Sequence, residues 1–103
     1  MSVLDTLKSR MELNSFETKT IGTVYYYPMT GREQDRIGLS DSNIKLTKKL
    51  VTTVLLKSLD SSGERLFKDS DENALLNDIS MEDISEIANG ILAVKSVDEQ
   101  LGE

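Results

Sequence analysis

The residues best suited to chemistry in this chain are carboxylates, and several of them are neighbours: Asp71 with Glu72, and Glu82 with Asp83. Paired carboxylates can share protons in acid–base work or hold a divalent cation. Each pair falls in the first turn of a predicted helix, where negative charge complements the helix dipole, so a structural role accounts for both. Asp60, Ser62, Gly63 and Asp69 can be laid on a calcium loop that begins at Ser58. Such a loop closes on a bidentate glutamate and carries several carboxylates in its first half. Here the closing position is Asp69 and the first half offers only Asp60, so the segment reads as an ordinary turn.

Nucleophilic chemistry has even less to work with. The chain has no cysteine and no histidine. Thiol nucleophiles, thiolate metal sites, iron–sulfur clusters and disulfides are thereby excluded, and so is the commonest general base. Ser58-Leu-Asp60 has a superficial likeness to the phosphopantetheine attachment site of acyl carrier proteins, where the serine opens a helix. In this chain Ser58 closes an apolar helix instead. No glycine-rich phosphate loop, nucleophile elbow or metal-ligand cluster is present, and the sequence predicts neither an enzyme nor a cofactor.

The remaining local oddity is the run Tyr25, Tyr26, Tyr27. In a strand Tyr25 and Tyr27 share one face and Tyr26 takes the other. One face can cover the core while the other leaves phenol at the surface, and tyrosine is a favoured interface residue. Interface and core cover are equally open readings of this strand.

The elements that must position these residues follow from spacing and caps. Ser2 and Asp5 form a capping-box pattern ahead of Leu4, Leu7 and Met11, which predicts a helix over 3–13, within an N-terminal helix or arm spanning 1–14. Between 15 and 27 the composition turns to β-formers, with two short strands near 16–20 and 23–27, Gly22 between them and Pro28 as the stop. Thr30 and Glu33 make a second capping box for a helix to about Ile37, with Gly38 as its left-handed cap. The segment 43–59 is the most apolar and predicts the central core helix. Asp60 to Gly63 is a turn, Glu64 to Phe67 an extended link, and Ser70 the cap of a two-turn helix through Leu75, Leu76 and Ile79. Ser80 and Asp83 form a third capping box, followed by the stripe Ile84, Ile87, Ala88, Ile91. Gly90 inside that helix suggests a close helix–helix approach. The tail 95–103 has few anchors and is expected to be loose. The expectation is one α+β domain over 1–103, predominantly helical, with a short antiparallel β element (about 15–27) packed on four to five helices.

The chain has 103 residues, 38% of them hydrophobic, and a net charge of −6. That supports one core and excludes a multidomain enzyme. Residues 1–50 hold eight Lys/Arg against six Asp/Glu, whereas residues 51–103 hold four against twelve. An acidic half is a poor match for phosphate backbones, and nucleic acid is not an expected partner. Lys45, Lys48 and Lys49 read as a solvated helix face. No apolar run is long enough for a membrane span and the N-terminus lacks a signal-peptide pattern, so a soluble intracellular protein is expected.

The order of elements carries more than any of these sites. An aromatic strand runs into Tyr27-Pro-Met-Thr-Gly-Arg-Glu33 and a short helix. A long apolar helix then ends in Leu59-Asp-Ser-Ser-Gly-Glu-Arg-Leu-Phe67, and two capped helices follow, the last containing Ile84-Ser-Glu-Ile-Ala-Asn-Gly-Ile91. Over roughly residues 15–94 this resembles the tail assembly chaperones of long-tailed, HK97-like bacteriophages and prophages. The resemblance implies a non-enzymatic morphogenetic factor of the bacterial host cytoplasm. Such a factor self-associates into rings or spirals, coats the tape measure protein before the tail tube forms, and is absent from the finished virion. It further implies a longer product of a programmed frameshift that recruits tail tube protein. Candidate protein-binding residues are Tyr25, Tyr27, Leu66, Phe67, Ile84, Ile87 and Ile91, although in so short a chain most of them also compete for the core. The alternative, from the charge of the second half, is an acidic protein-binding module or inhibitor that mimics nucleic acid.

Overall fold

The computed structural model describes residues 2–101, with side chains described as far as Leu92. Along the chain lie α1 (Val3–Lys8), β1 (Asn14–Thr18), β2 (Gly22–Tyr26), α2 (Gly31–Ile37), α3 (Leu46–Lys57), a single 3-10 turn (Asp69–Asp71), α4 (Glu72–Asn77) and α5 (Met81–Leu101). The arrangement is α+β and predominantly helical, with a two-stranded antiparallel sheet.

The hairpin pairs Phe16 with Val24 and Asn14 with Tyr26. Opposed residues share a face, which puts Phe16, Val24 and Tyr26 on the core side. The strands sit one to two residues earlier than their composition suggests because Thr18 closes the turn. Its hydroxyl donates to the Gly22 carbonyl at 2.8 Å and accepts from the Ile21 N–H at 3.1 Å. Gly22 takes a φ of 76°, a conformation open to glycine at little cost.

α3 is the central helix, packed on α2, α4 and α5. Val51, Val54 and Leu55 of α3 meet Leu75 of α4 and Ile84, Ile87, Ala88 and Ile91 of α5 in one buried cluster under Val24 and Tyr26. The helix begins later than expected. Asp41 accepts from the Asn43 N–H at 2.9 Å and so spends its capping capacity on a loop, and Lys45 occupies the cap position without a side-chain bond. It also ends earlier, because Leu59 leaves the helix to pair with Tyr25.

The Thr30–Glu33 capping box and the left-handed Gly38 cap of α2 form as expected. Ser80 accepts from the Asp83 N–H at 3.2 Å and starts α5. Ser70 does not cap α4. Asp71 reaches back to the Lys68 N–H at 2.8 Å, and Ser70 sits inside the 3-10 turn. Ser2 caps α1, but that helix stops at Lys8 and buries no residue, so nothing draws Met11 into a further turn. Gly90 marks a close approach to the β1 side chain Phe16, not to another helix. α5 runs to Leu101; the side chains of 93–101, and residues 102–103 altogether, lie outside the described residues, as does the expectation of few anchors in 95–103.

Ser58 is fully buried and its hydroxyl has no hydrogen-bond partner. This removes the acyl-carrier reading, since the hydroxyl is not accessible to a transferase. An unsatisfied buried hydroxyl costs roughly 1–3 kcal/mol of desolvation. Ser58→Ala is therefore expected to preserve stability or raise it by about 1 kcal/mol in urea unfolding. A loss of that size would show the hydroxyl to be engaged.

Candidate protein-binding surface

Three of the residues singled out by sequence come together. Tyr25, Leu66 and Phe67 join Ile21 as the apolar walls of an open groove of about 490 Å³, with Thr23, Asp60 and Ser61 at its polar margin. Ile21 and Leu66 are 48% and 41% exposed, high values for large aliphatic side chains facing a common space.

Backbone pairing builds this groove. The Tyr25 N–H donates to the Leu59 carbonyl at 3.0 Å, and the Leu59 N–H returns a bond at 2.8 Å. The chain then turns through Asp60–Glu64 and comes back, with the Leu66 N–H donating to the Ser58 carbonyl at 2.9 Å. Gly63, at φ 87°, supplies the left-handed step of the turn. The Asp60 carboxylate fastens it, accepting from the Ser62 N–H at 2.9 Å, the Ser62 hydroxyl at 2.6 Å and the Glu64 N–H at 3.0 Å. These bonds, the Ser62 hydroxyl foremost, hold the Asp60 carboxyl below its ordinary pKa. The carboxylate thus serves its own loop, as the turn reading of this segment expects. Arg65 is tied down by the Leu55 carbonyl at 2.8 Å and by Asp69 at 3.0 Å, which sets Leu66 and Phe67 beside Tyr25.

Tyr27 lies elsewhere. It is 39% exposed and lines a second cleft of about 250 Å³ with Met11, Pro28, Leu56 and Leu59. The floor of that cleft holds a feature absent from the sequence reading. The Lys57 side chain is only 3% exposed, and its ammonium donates to Glu33 Oε1 at 2.7 Å and the Pro28 carbonyl at 3.4 Å. Its one legible signal is position: Lys57 follows Val54 by three residues and so falls at the edge of the buried arc of α3.

Ile84, Ile87 and Ile91 require a correction as binding residues. They are 0%, 4% and 4% exposed and hold α5 against α3. A stripe of this width on a helix beside an apolar partner is consumed by the core. The sequence reading also omitted Ile21, which sits in a turn where periodicity gives no signal. Lys45 and Lys48 are exposed, as a solvated helix face requires, with Lys48 paired to Glu72 at 2.9 Å, whereas Lys49 is half-buried and reaches the Leu39 carbonyl at 3.3 Å.

Among the described residues no three acidic side chains gather as a metal site requires, and no helix is long and apolar enough to cross a membrane. Comparison with known protein families, curated proteins and solved structures returns no match to this chain.

Proposed function

We propose that this chain is a non-enzymatic tail assembly chaperone of a long-tailed phage or prophage, which self-associates and coats the tape measure protein in the host cytoplasm. One observation carries the reading. The segments behind the resemblance, the aromatic strand and the Leu59–Phe67 turn, are the ones that build the open apolar groove. A second apolar surface stands apart on α1, where Leu4 and Leu7 are 59% and 58% exposed. A scaffold for a long client works through many weak contacts repeated along an assembly, and exposed apolar surfaces on a packed domain provide them. A frameshifted longer form would add the contact to tail tube protein.

The test is co-expression with the tape measure protein encoded in the same gene cluster, followed by co-purification at low salt and at about 0.5 M salt, where surface charge is screened. Apolar recognition predicts a complex that survives both conditions. Failure to capture the client overturns the reading. Binding to basic proteins that vanishes in salt would instead identify an acidic inhibitor.

A further inference from the structure

We propose that the N-terminal arm of one copy, residues 3–11, docks in the groove formed by Ile21, Tyr25, Leu66 and Phe67 of the next copy, joining subunits head to tail. The inference rests on reading the chain as a self-assembling scaffold, and it specifies the contact that does the assembling.

The arm is apolar and uncovered. Val3 is 78% exposed and Met11 40%, and no residue of α1 is buried. Leu4 and Leu7, three apart, share one face of α1, and Met11 follows after the helix has ended. A six-residue helix has little stability of its own in water, and an apolar face on it gains most from a partner surface. Within its own chain the arm does not reach the groove: Met11 lines the neighbouring cleft beside Tyr27. The groove, equally, is left open by its own chain.

Charge favours this pairing over one of arm with arm or groove with groove. Lys8 and Arg10 close the arm, and neither forms an ion pair among the described residues. The charged residue lining the groove is Asp60, and Glu64 stands exposed just beyond it. An arm that ends in two cations, against the single Asp5 of its first helical turn, thus meets a slot whose charged lining residue is Asp60, with the neighbouring Arg65 already paired to Asp69. Because the two patches differ, the contact is heterologous, and repeating it closes a ring or grows an open helical array without a two-fold axis.

Mixing two variants tests this on the purified full-length chain. The arm variant carries Leu4→Glu and Leu7→Glu; the groove variant carries Ile21→Glu and Leu66→Glu. All four positions are exposed, so both variants should keep the wild-type circular dichroism. Light scattering across a concentration series should show assembly of the wild-type chain and a dissociation constant at least about 30-fold weaker for each variant alone, the loss typical of central interface residues. Mixed in equal amounts, the variants should form a one-to-one heterodimer and nothing larger, since only one intact arm and one intact groove remain. A wild-type monomer, a variant that assembles like wild type, or a mixture that stays monomeric overturns the proposal. Capture of the tape measure protein by the wild-type chain judges the functional reading separately.

Discussion

Glu33→Gln is expected to lower the unfolding free energy by about 1–2 kcal/mol, less than the loss for a fully buried ion pair, because Glu33 itself remains 34% exposed. The substitution is informative because it spares the helix cap. Glu33 Oε1 accepts from the Thr30 N–H at 3.0 Å while the Thr30 hydroxyl accepts from the Glu33 N–H at 3.2 Å. Glutamine fills the same capping role, so only the charge is lost. What remains is an ammonium at Lys57 with 3% exposure and a neutral partner. Lys57→Met provides the counter-experiment. It replaces the buried charge by an apolar side chain of similar length, and is expected to leave stability within about 1 kcal/mol of wild type or above it. Urea unfolding of both variants decides the matter. Equal losses would mean that the pair acts through packing and not through charge.

The same pair sets an acid limit. Burial pushes the Glu33 carboxyl up, but the hydrogen bonds from Lys57 and Thr30 and the attraction of the Lys57 charge outweigh it, leaving the group below its ordinary value of 4.5. The unfolded chain therefore takes up the proton first as pH falls. The stabilisation is complete above pH 4.5 and is lost as the pH passes down through the lowered folded value. Other carboxylates titrate in this range, so the diagnostic quantity is the stability gap between wild type and Glu33→Gln. It should be constant near neutrality and close toward zero in acid, where Glu33 becomes as neutral as glutamine. A gap that persists unchanged at low pH would assign the loss to something other than charge.

Local signals were legible where one residue or one helical face decided the outcome. Thr30 with Glu33, Gly38, Ser80 and the Ile84–Ile91 stripe are of this kind, and each needs only near neighbours or a single apolar period. The signals failed where a distant segment competed. Leu59 belongs to the apolar line of α3, yet its backbone leaves the helix for Tyr25, a choice that no window around residue 59 contains. The candidate surface divides in the same way. Leu66 and Phe67 sit in a link with no periodicity, and only the return of the chain to Ser58 brings them to Tyr25. The position of Lys57 at the edge of the α3 arc hints at burial, but its partner Glu33 comes from α2, across the fold. Alternation does separate Tyr26, buried at 5%, from Tyr25 and Tyr27, but it cannot show that Tyr25 and Tyr27 line different clefts.

Gly90→Ala shows how far helix propensity can mislead. On propensity alone the change should stabilise α5 by about 1 kcal/mol. In the fold, a Cβ at this position would fall well inside contact distance of three atoms of the Phe16 ring. To make room the half-buried ring must give up part of its packing on Tyr26, whose centroid lies 5.8 Å away, and on the core. Overpacking of this kind costs about 1–3 kcal/mol and often more when a ring is displaced, so a net loss of about 2 kcal/mol is expected. The decisive measurement is a double-mutant cycle in urea. Phe16→Ala alone should cost about 2 kcal/mol, less than a fully buried ring, because Phe16 is only partly buried. In that background Gly90→Ala has no ring to strike, and it should stabilise by about 1 kcal/mol as propensity demands. The sign of one substitution would then depend on a residue 74 positions away in sequence. If Gly90→Ala destabilises equally in both backgrounds, the close approach of α5 to β1 is not what requires glycine there.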